Sequence, residues 1–119
     1  MKISKLAAVS AIDSASLDNW GEVPVPIDSA PSVLSGQKLC SNADGSTVGV
    51  WESTPGKWRR QVQNAEMCYF LEGECTYTDE EGQVTTISAG DTVYFPAKSL
   101  GIWDIKSKCR KVYITYESQ

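Results

Sequence analysis

The sequence predicts an all-β barrel or sandwich preceded by an extended arm. Three observations carry this expectation. Short β-forming runs recur at regular spacing from Lys38 to Tyr116. Gly, Pro and acidic residues punctuate them, as at Asp79-Glu80-Glu81-Gly82, Ala89-Gly90-Asp91 and Pro96. No alternation of strand-like with helix-like segments, no internal repeat and no heptad is visible. The 119 residues fit one domain, and 41% apolar residues argue against global disorder.

Residues 1–35 read as an N-terminal arm and residues 36–119 as the single domain. Pro24, Pro26 and Pro31 fix φ and remove donors, so Val23 to Pro31 is expected to be extended. A short helical turn around Ser4 to Ala11 is allowed, and Gly36 is expected to end the arm. Such a segment is expected to cover an exposed sheet edge or cross to a neighbour, and a homodimer is expected. Within the domain, Val48, Val50 and Glu52 alternate with Gly49, Trp51 and Ser53. Met67 to Leu71 is an apolar, aromatic strand closed by Gly73. Cys75 to Thr78 and Val84 to Ile87 flank the acidic turn as a hairpin. Thr92 to Phe95, Leu100 to Ile105 and Val112 to Tyr116 complete the series.

A net charge of −4 argues against binding to nucleic acid or an anionic membrane surface. Two basic clusters, Lys57 with Arg59 and Arg60, and Lys106 with Lys108, Arg110 and Lys111, read as solvated strand faces or turns. The N-terminal apolar run is too short for a secretory signal, and nothing approaches a membrane span. The four cysteines form no CxxC pair; Cys68 and Cys75 read as small buried hydrophobes in a reduced, cytoplasmic protein.

Two longer motifs stand out. One is Glu66-Met67-Cys68-Tyr69-Phe70-Leu71-Glu72-Gly73; the other is Gly90-Asp91-Thr92-Val93-Tyr94-Phe95-Pro96. With Asp44-Gly45, Gly49 to Trp58, Gly101-Ile102-Trp103 and Arg110 to Tyr113, they make the chain resemble the cupin superfamily. More closely it resembles the small single-domain cupins grouped with the ureidoglycine aminohydrolase cupin domain, of the DUF861 type. The resemblance implies a cupin-type jelly-roll β-barrel, open at one end and often dimeric. It also implies a metal held by histidines, and this chain has none. Arg60 and Val62, or Arg59 and Gln61, stand at the first two ligand positions, and Gly101 at the last. Only Glu66 remains of the four, so no histidine-bound metal and no other cofactor is expected. A carboxylate–thiolate pair of Glu66 with Cys68 stays open as an alternative.

If Glu66 points inward, as the resemblance implies, strand alternation sends Cys68 and Phe70 inward too. Met67, Tyr69 and Leu71 then face out. The same parity turns Trp103 and Ile105 inward; on the strand preceding Glu66, Trp58, Arg60 and Val62 form one possible inward set, and Arg59 with Gln61 the other. Glu66 is the candidate acid or base, since burial raises a carboxyl pKa and a paired arginine lowers it again. Arg60, Cys68, Phe70, Trp103, Trp58 and Glu52 are the candidate ligand-binding residues, with Glu52 either at the barrel rim or solvated. Lys111 is expected at a sheet edge or on the surface; Tyr113 is left open. Without histidine, Ser-His-Asp and Cys-His mechanisms are excluded. Three functions remain. The first is binding of a small polar metabolite, anionic or nitrogen-containing, without a histidine-ligated metal. The second is metal-independent catalysis by Glu66 as isomerase, lyase or ureido-amidohydrolase. The third is an interaction module with a filled pocket.

Overall fold

The computed structural model describes residues 2–27 and 30–116. Ten strands dominate: β1 (Asp18–Glu22), β2 (Val33–Ser41), β3 (Thr47–Ser53), β4 (Gly56–Val62), β5 (Ala65–Glu72), β6 (Glu74–Asp79), β7 (Val84–Ser88), β8 (Thr92–Phe95), β9 (Ser99–Ile105) and β10 (Cys109–Tyr116). They form two sheets, ordered β1-β2-β3-β10-β5-β8 and β4-β9-β6-β7, with every pairing antiparallel. This is the jelly-roll barrel expected from the sequence. No helix among the described residues is long and apolar enough to cross a membrane.

The chain changes sheets where local chemistry allows it. Gly73, at φ +96°, joins β5 to β6; a Cβ there would lie 2.3 Å from the Lys108 carbonyl oxygen and 2.7 Å from Cys109 Sγ. Both the backbone angle and the contact demand glycine. The β6–β7 hairpin closes on Asp79, whose Oδ1 accepts the N–H groups of Glu81 and Gln83 at 3.0 and 2.9 Å. This is an aspartate turn built from the acidic loop.

Trp103 sits at the centre of the core with no exposure. The rings of Trp51, Trp58, Phe70, Tyr77 and Phe95 surround it at centroid distances of 5.0–6.4 Å. Both sheets contribute to the cluster, so it bonds the two layers. Truncating such a side chain typically costs about 3–5 kcal/mol.

The arm is more ordered than the sequence indicates. Its 3-10 turns lie at Val9–Ala11, at the end of the Ser4 to Ala11 stretch expected to turn, and at Ser14–Ser16. Gly36, the expected end of the arm, falls inside β2 and pairs with both Asp18 and Trp51. Residues 25–27 run along β4: Arg59 N–H donates to the Val25 carbonyl at 3.0 Å, and Ile27 N–H to that of Lys57 at 2.7 Å. An edge strand is thereby paired, as expected of an extended, proline-bearing segment.

Candidate functional site

Three strands bring charge into the barrel. Glu66 on β5, Arg60 on β4 and Lys111 on β10 all face inward. Arg60 Nη2 donates to Glu66 Oε1 at 2.6 Å, and Lys111 Nζ lies 3.2 Å from Oε2. Glu66 is 3% exposed and Lys111 1%, so this ion triad is inside the protein. The expectation that Lys111 lies at a sheet edge or on the surface is therefore corrected. β10 is a central strand, and Lys111 alternates inward with Cys109 and Tyr113 while Val112 and Ile114 face out.

Withdrawing an ammonium from water costs several kcal/mol. Aromatic faces offset part of it: Lys111 Nζ lies 4.4 Å from the Trp51 ring centroid and 5.4 Å from that of Trp103. A desolvated cation–π contact is worth about 2 kcal/mol. The remainder comes from Glu66. Burial pushes the Glu66 carboxyl up, but Lys111 and Arg60 together outweigh it and hold the group below the usual glutamate value. Burial depresses the Lys111 ammonium, Glu66 counteracts, and Arg60 adds to the depression. One carboxylate thus faces two cations, and one positive charge is left over.

The other candidate residues separate into distinct environments. Cys68, Phe70, Trp58 and Trp103 are core, at most 4% exposed, and none lines the clefts described below. Burial pushes the Cys68 thiol up, which keeps it protonated. Tyr113 is half-buried and packs against the core, with its hydroxyl over Gly49. Glu52 faces the opposite side of its sheet and is neither at the barrel rim nor solvated. It is 2% exposed and pairs with Arg110 at 3.3 Å and Lys108 at 3.2 Å, beneath the arm. Ser14 donates to Glu52 at 2.8 Å, and Arg110 donates to the carbonyls of Val9 and Ile12 at 3.0 and 2.6 Å. This second ion cluster fastens the arm. Two members of the basic cluster expected to be solvated, Arg110 and Lys111, are thus buried on opposite faces of β10.

Two clefts lie where β6 ends and β9 begins, the larger reaching the end of β4. A cleft of about 570 Å³ is lined by Val25, Arg59, Arg60, Gln61, Leu100, Gly101, Ile102 and the Thr78–Glu80 turn. A smaller one of about 250 Å³ lies beside it, with Tyr77, Asp79 and Phe95 in its wall. Of the interior triad, Arg60 alone lines the larger cleft. Arg60 Nη1, Tyr77 Oη and Trp103 Nε1 are buried polar atoms with no hydrogen-bond partner among the described residues. They belong to one cluster: the Arg60 guanidinium carbon lies 5.6 Å from the Trp103 ring centroid, and Tyr77 stacks edge-on against Trp103 at 5.0 Å. Tyr77 was not singled out as a site feature from the sequence. A tyrosine inside an alternating strand gives no sign that its hydroxyl lacks a partner.

The profile of the EutQ-like cupin domain family matches residues 40–113, well over half of the chain. The chain belongs to this family. Its fold matches a putative ethanolamine utilization protein Q from Salmonella typhimurium, with TM-score 0.68 and 20% identity over 98% of this chain and 94% of that one. It also matches a DUF861-family protein of unknown function from Pseudomonas syringae, with TM-score 0.77 and 25% identity over 83% of this chain. The match covers 43% of that longer chain. A DUF861 family protein from Thermotoga maritima is 33% identical over 54% of this chain and 73% of that one, with TM-score 0.53. No curated protein is significantly similar in sequence. The histidine-held metal implied by the cupin resemblance does not fit these residues. Both carboxylate oxygens of Glu66 face protein cations, the neighbouring thiol stays protonated, and no three His, Cys, Asp or Glu converge among the described residues.

Proposed function

We propose that this EutQ-like cupin binds a small polar metabolite bearing a carboxylate at the open end of its barrel, without a histidine-ligated metal. One observation carries the reading: two cations share one buried carboxylate, and Arg60 brings the surplus positive charge to the wall of an open cleft. Arg60 Nη1 is buried without a hydrogen-bond partner while the side chain as a whole is 21% exposed, and a guanidinium suits a carboxylate ligand geometrically. Glu66 as general acid or base is less well supported. It is buried, held ionised by two partners, and absent from the walls of both clefts. The interior around it is packed with aromatic rings, so ligand capture belongs at the mouth. The test is a thermal-shift panel of small carboxylates, amines, amino acids, ureido compounds and sugars, since a native-state ligand raises apparent stability. Carboxylate-bearing compounds are expected to raise the melting temperature of the wild type and not of Arg60→Gln. A panel without any response, or responses unchanged in Arg60→Gln, contradicts the reading.

The proposed partner of the outer sheet face is a second copy of the chain. Met67 and Tyr69 on β5, Tyr94 on β8 and Tyr116 on β10 are 42–61% exposed there, next to Val112 and Ile114. The face carries no charge at these positions, which suits contact between two chains that each bear −4. The four cysteines are free thiols, which supports a reducing, cytoplasmic setting.

A further inference from the structure

Cys75 and Cys109 are buried thiols that the site described above does not use, and neither lines a cleft. They come from different sheets: Cys75 from the start of β6, Cys109 from the start of β10. Two crossovers between the sheets bring them together, at the end of the barrel away from the clefts. At Gly73 the chain leaves β5 for β6, and Cys75 follows two residues later. After Ile105, the register partner of Cys75 on β9, the chain returns through residues 106–108 to Cys109. Hydrogen bonds hold the crossovers to one another: Lys106 N–H donates to the Glu74 carbonyl at 3.0 Å, and Glu74 N–H to Ser107 Oγ at 3.0 Å. Cys109 Sγ packs so closely on Gly73 that a Cβ there would lie 2.7 Å from it. The two thiols are hydrogen-bonded to each other. Their hydrogen bond holds the Cys109 thiol below its ordinary value against burial, and together with burial it pushes Cys75 up. Lys106, Ser107 and Lys108, next to the pair, are exposed.

We infer that Cys75 and Cys109 are a redox-active dithiol, which a small hydroperoxide oxidises to a disulfide stapling the two sheets. The Cys109 thiolate attacks one peroxide oxygen and the O–O bond breaks. The leaving hydroxide takes up the Cys109 proton, giving water and a Cys109 sulfenic acid. The Cys75 sulfur then displaces the sulfenic hydroxyl. The S–S bond forms, and the hydroxyl leaves as a second water with the Cys75 proton. Both sulfurs are oxidised, both peroxide oxygens are reduced, and a thiol reductant reverses the cross-link. Hydrogen peroxide is little larger than water, and local opening of the exposed 106–108 turn admits it to Cys109. Disulfides that close and reopen in a reducing compartment serve sensing or catalysis. This one closes at the start of β10, where Cys109 stands between Lys108 and Arg110, the cations that fasten the arm through Glu52.

Peptide mapping of the full chain, treated with hydrogen peroxide in native buffer and alkylated before digestion, tests this. The expected result is a loss of two hydrogens from the intact mass and a cross-linked peptide joining Cys75 to Cys109, both reversed by dithiothreitol. The oxidised protein is expected to unfold at higher urea than the reduced protein, because the cross-link restricts the unfolded chain. Cys75→Ala and Cys109→Ala are each expected to abolish the mass loss; should neither variant fold, the wild-type map decides alone. Cys75 and Cys109 still reduced, bonded to other cysteines, or bonded to each other without a rise in the urea midpoint overturn the inference. So does a mass loss that survives either substitution.

Discussion

Lys111 decides the electrostatics of the interior. With it, Glu66 serves two cations; without it, Glu66 and Arg60 make a neutral pair. The two partners therefore differ in what their removal leaves behind. Glu66→Gln strands two buried cations beside each other and is expected to cost about 3–5 kcal/mol in urea denaturation. Lys111→Met keeps most of the packing against Trp51 and Trp103 and removes the uncompensated charge, so it is expected to cost less than Glu66→Gln or to stabilise. The reverse order would show that the ammonium, and not the carboxylate, is the indispensable member. Sequence alternation placed Glu66, Cys68, Phe70 and Trp103 inward, because each strand has period two and one anchor residue fixes the face, and it left Arg60 and Arg59 as alternatives on β4. It gave no such anchor for β10. Lys111 lies between Arg110 and Val112, and both faces of that strand turn out to be covered, one by the barrel and one partly by the arm.

The strands themselves follow the same logic. The hairpin around Asp79, the run Met67 to Leu71 and the strand closed by Pro96 were legible, because β-forming residues and turn residues coincide there. β1 was not: Asp18-Asn19-Trp20-Gly21-Glu22 has no apolar alternation, is largely exposed and owes its extension to pairing with β2. β2 contains Ser35, Gly36 and Gln37, and is likewise defined by its neighbours. Glu52 was ambiguous for a related reason, since its partners Arg110, Lys108 and Ser14 are remote in sequence. The outward residues of β5, β8 and β10 make the element-scale claim testable. Light scattering at micromolar concentration is expected to give a dimer for the wild type and a monomer for Tyr69→Arg, which places like charges opposite each other across a two-fold axis. A monomeric wild type removes the second copy from the account.

For the whole molecule, the buried ion clusters set how stability depends on pH. Glu66 and Glu52 are both held below the ordinary glutamate value of 4.5; burial opposes this in each case, and basic and hydroxyl partners prevail. Between their folded values and the ordinary one, the unfolded chain binds more protons than the folded chain. Their contribution is therefore complete above the ordinary value and is lost as pH falls through the folded values. The depressed Lys111 acts in the same direction at the alkaline end, where the unfolded chain keeps its proton longer and stability rises with pH across that interval. The most direct measurement is a carbon-13 NMR titration of the Glu66 side-chain carboxyl in the folded protein. Glu66 is expected to remain ionised as pH falls through 4.5, with its midpoint shifted upward in Lys111→Met. A wild-type midpoint at or above 4.5, unmoved by Lys111→Met, contradicts a carboxylate clamped between two buried cations.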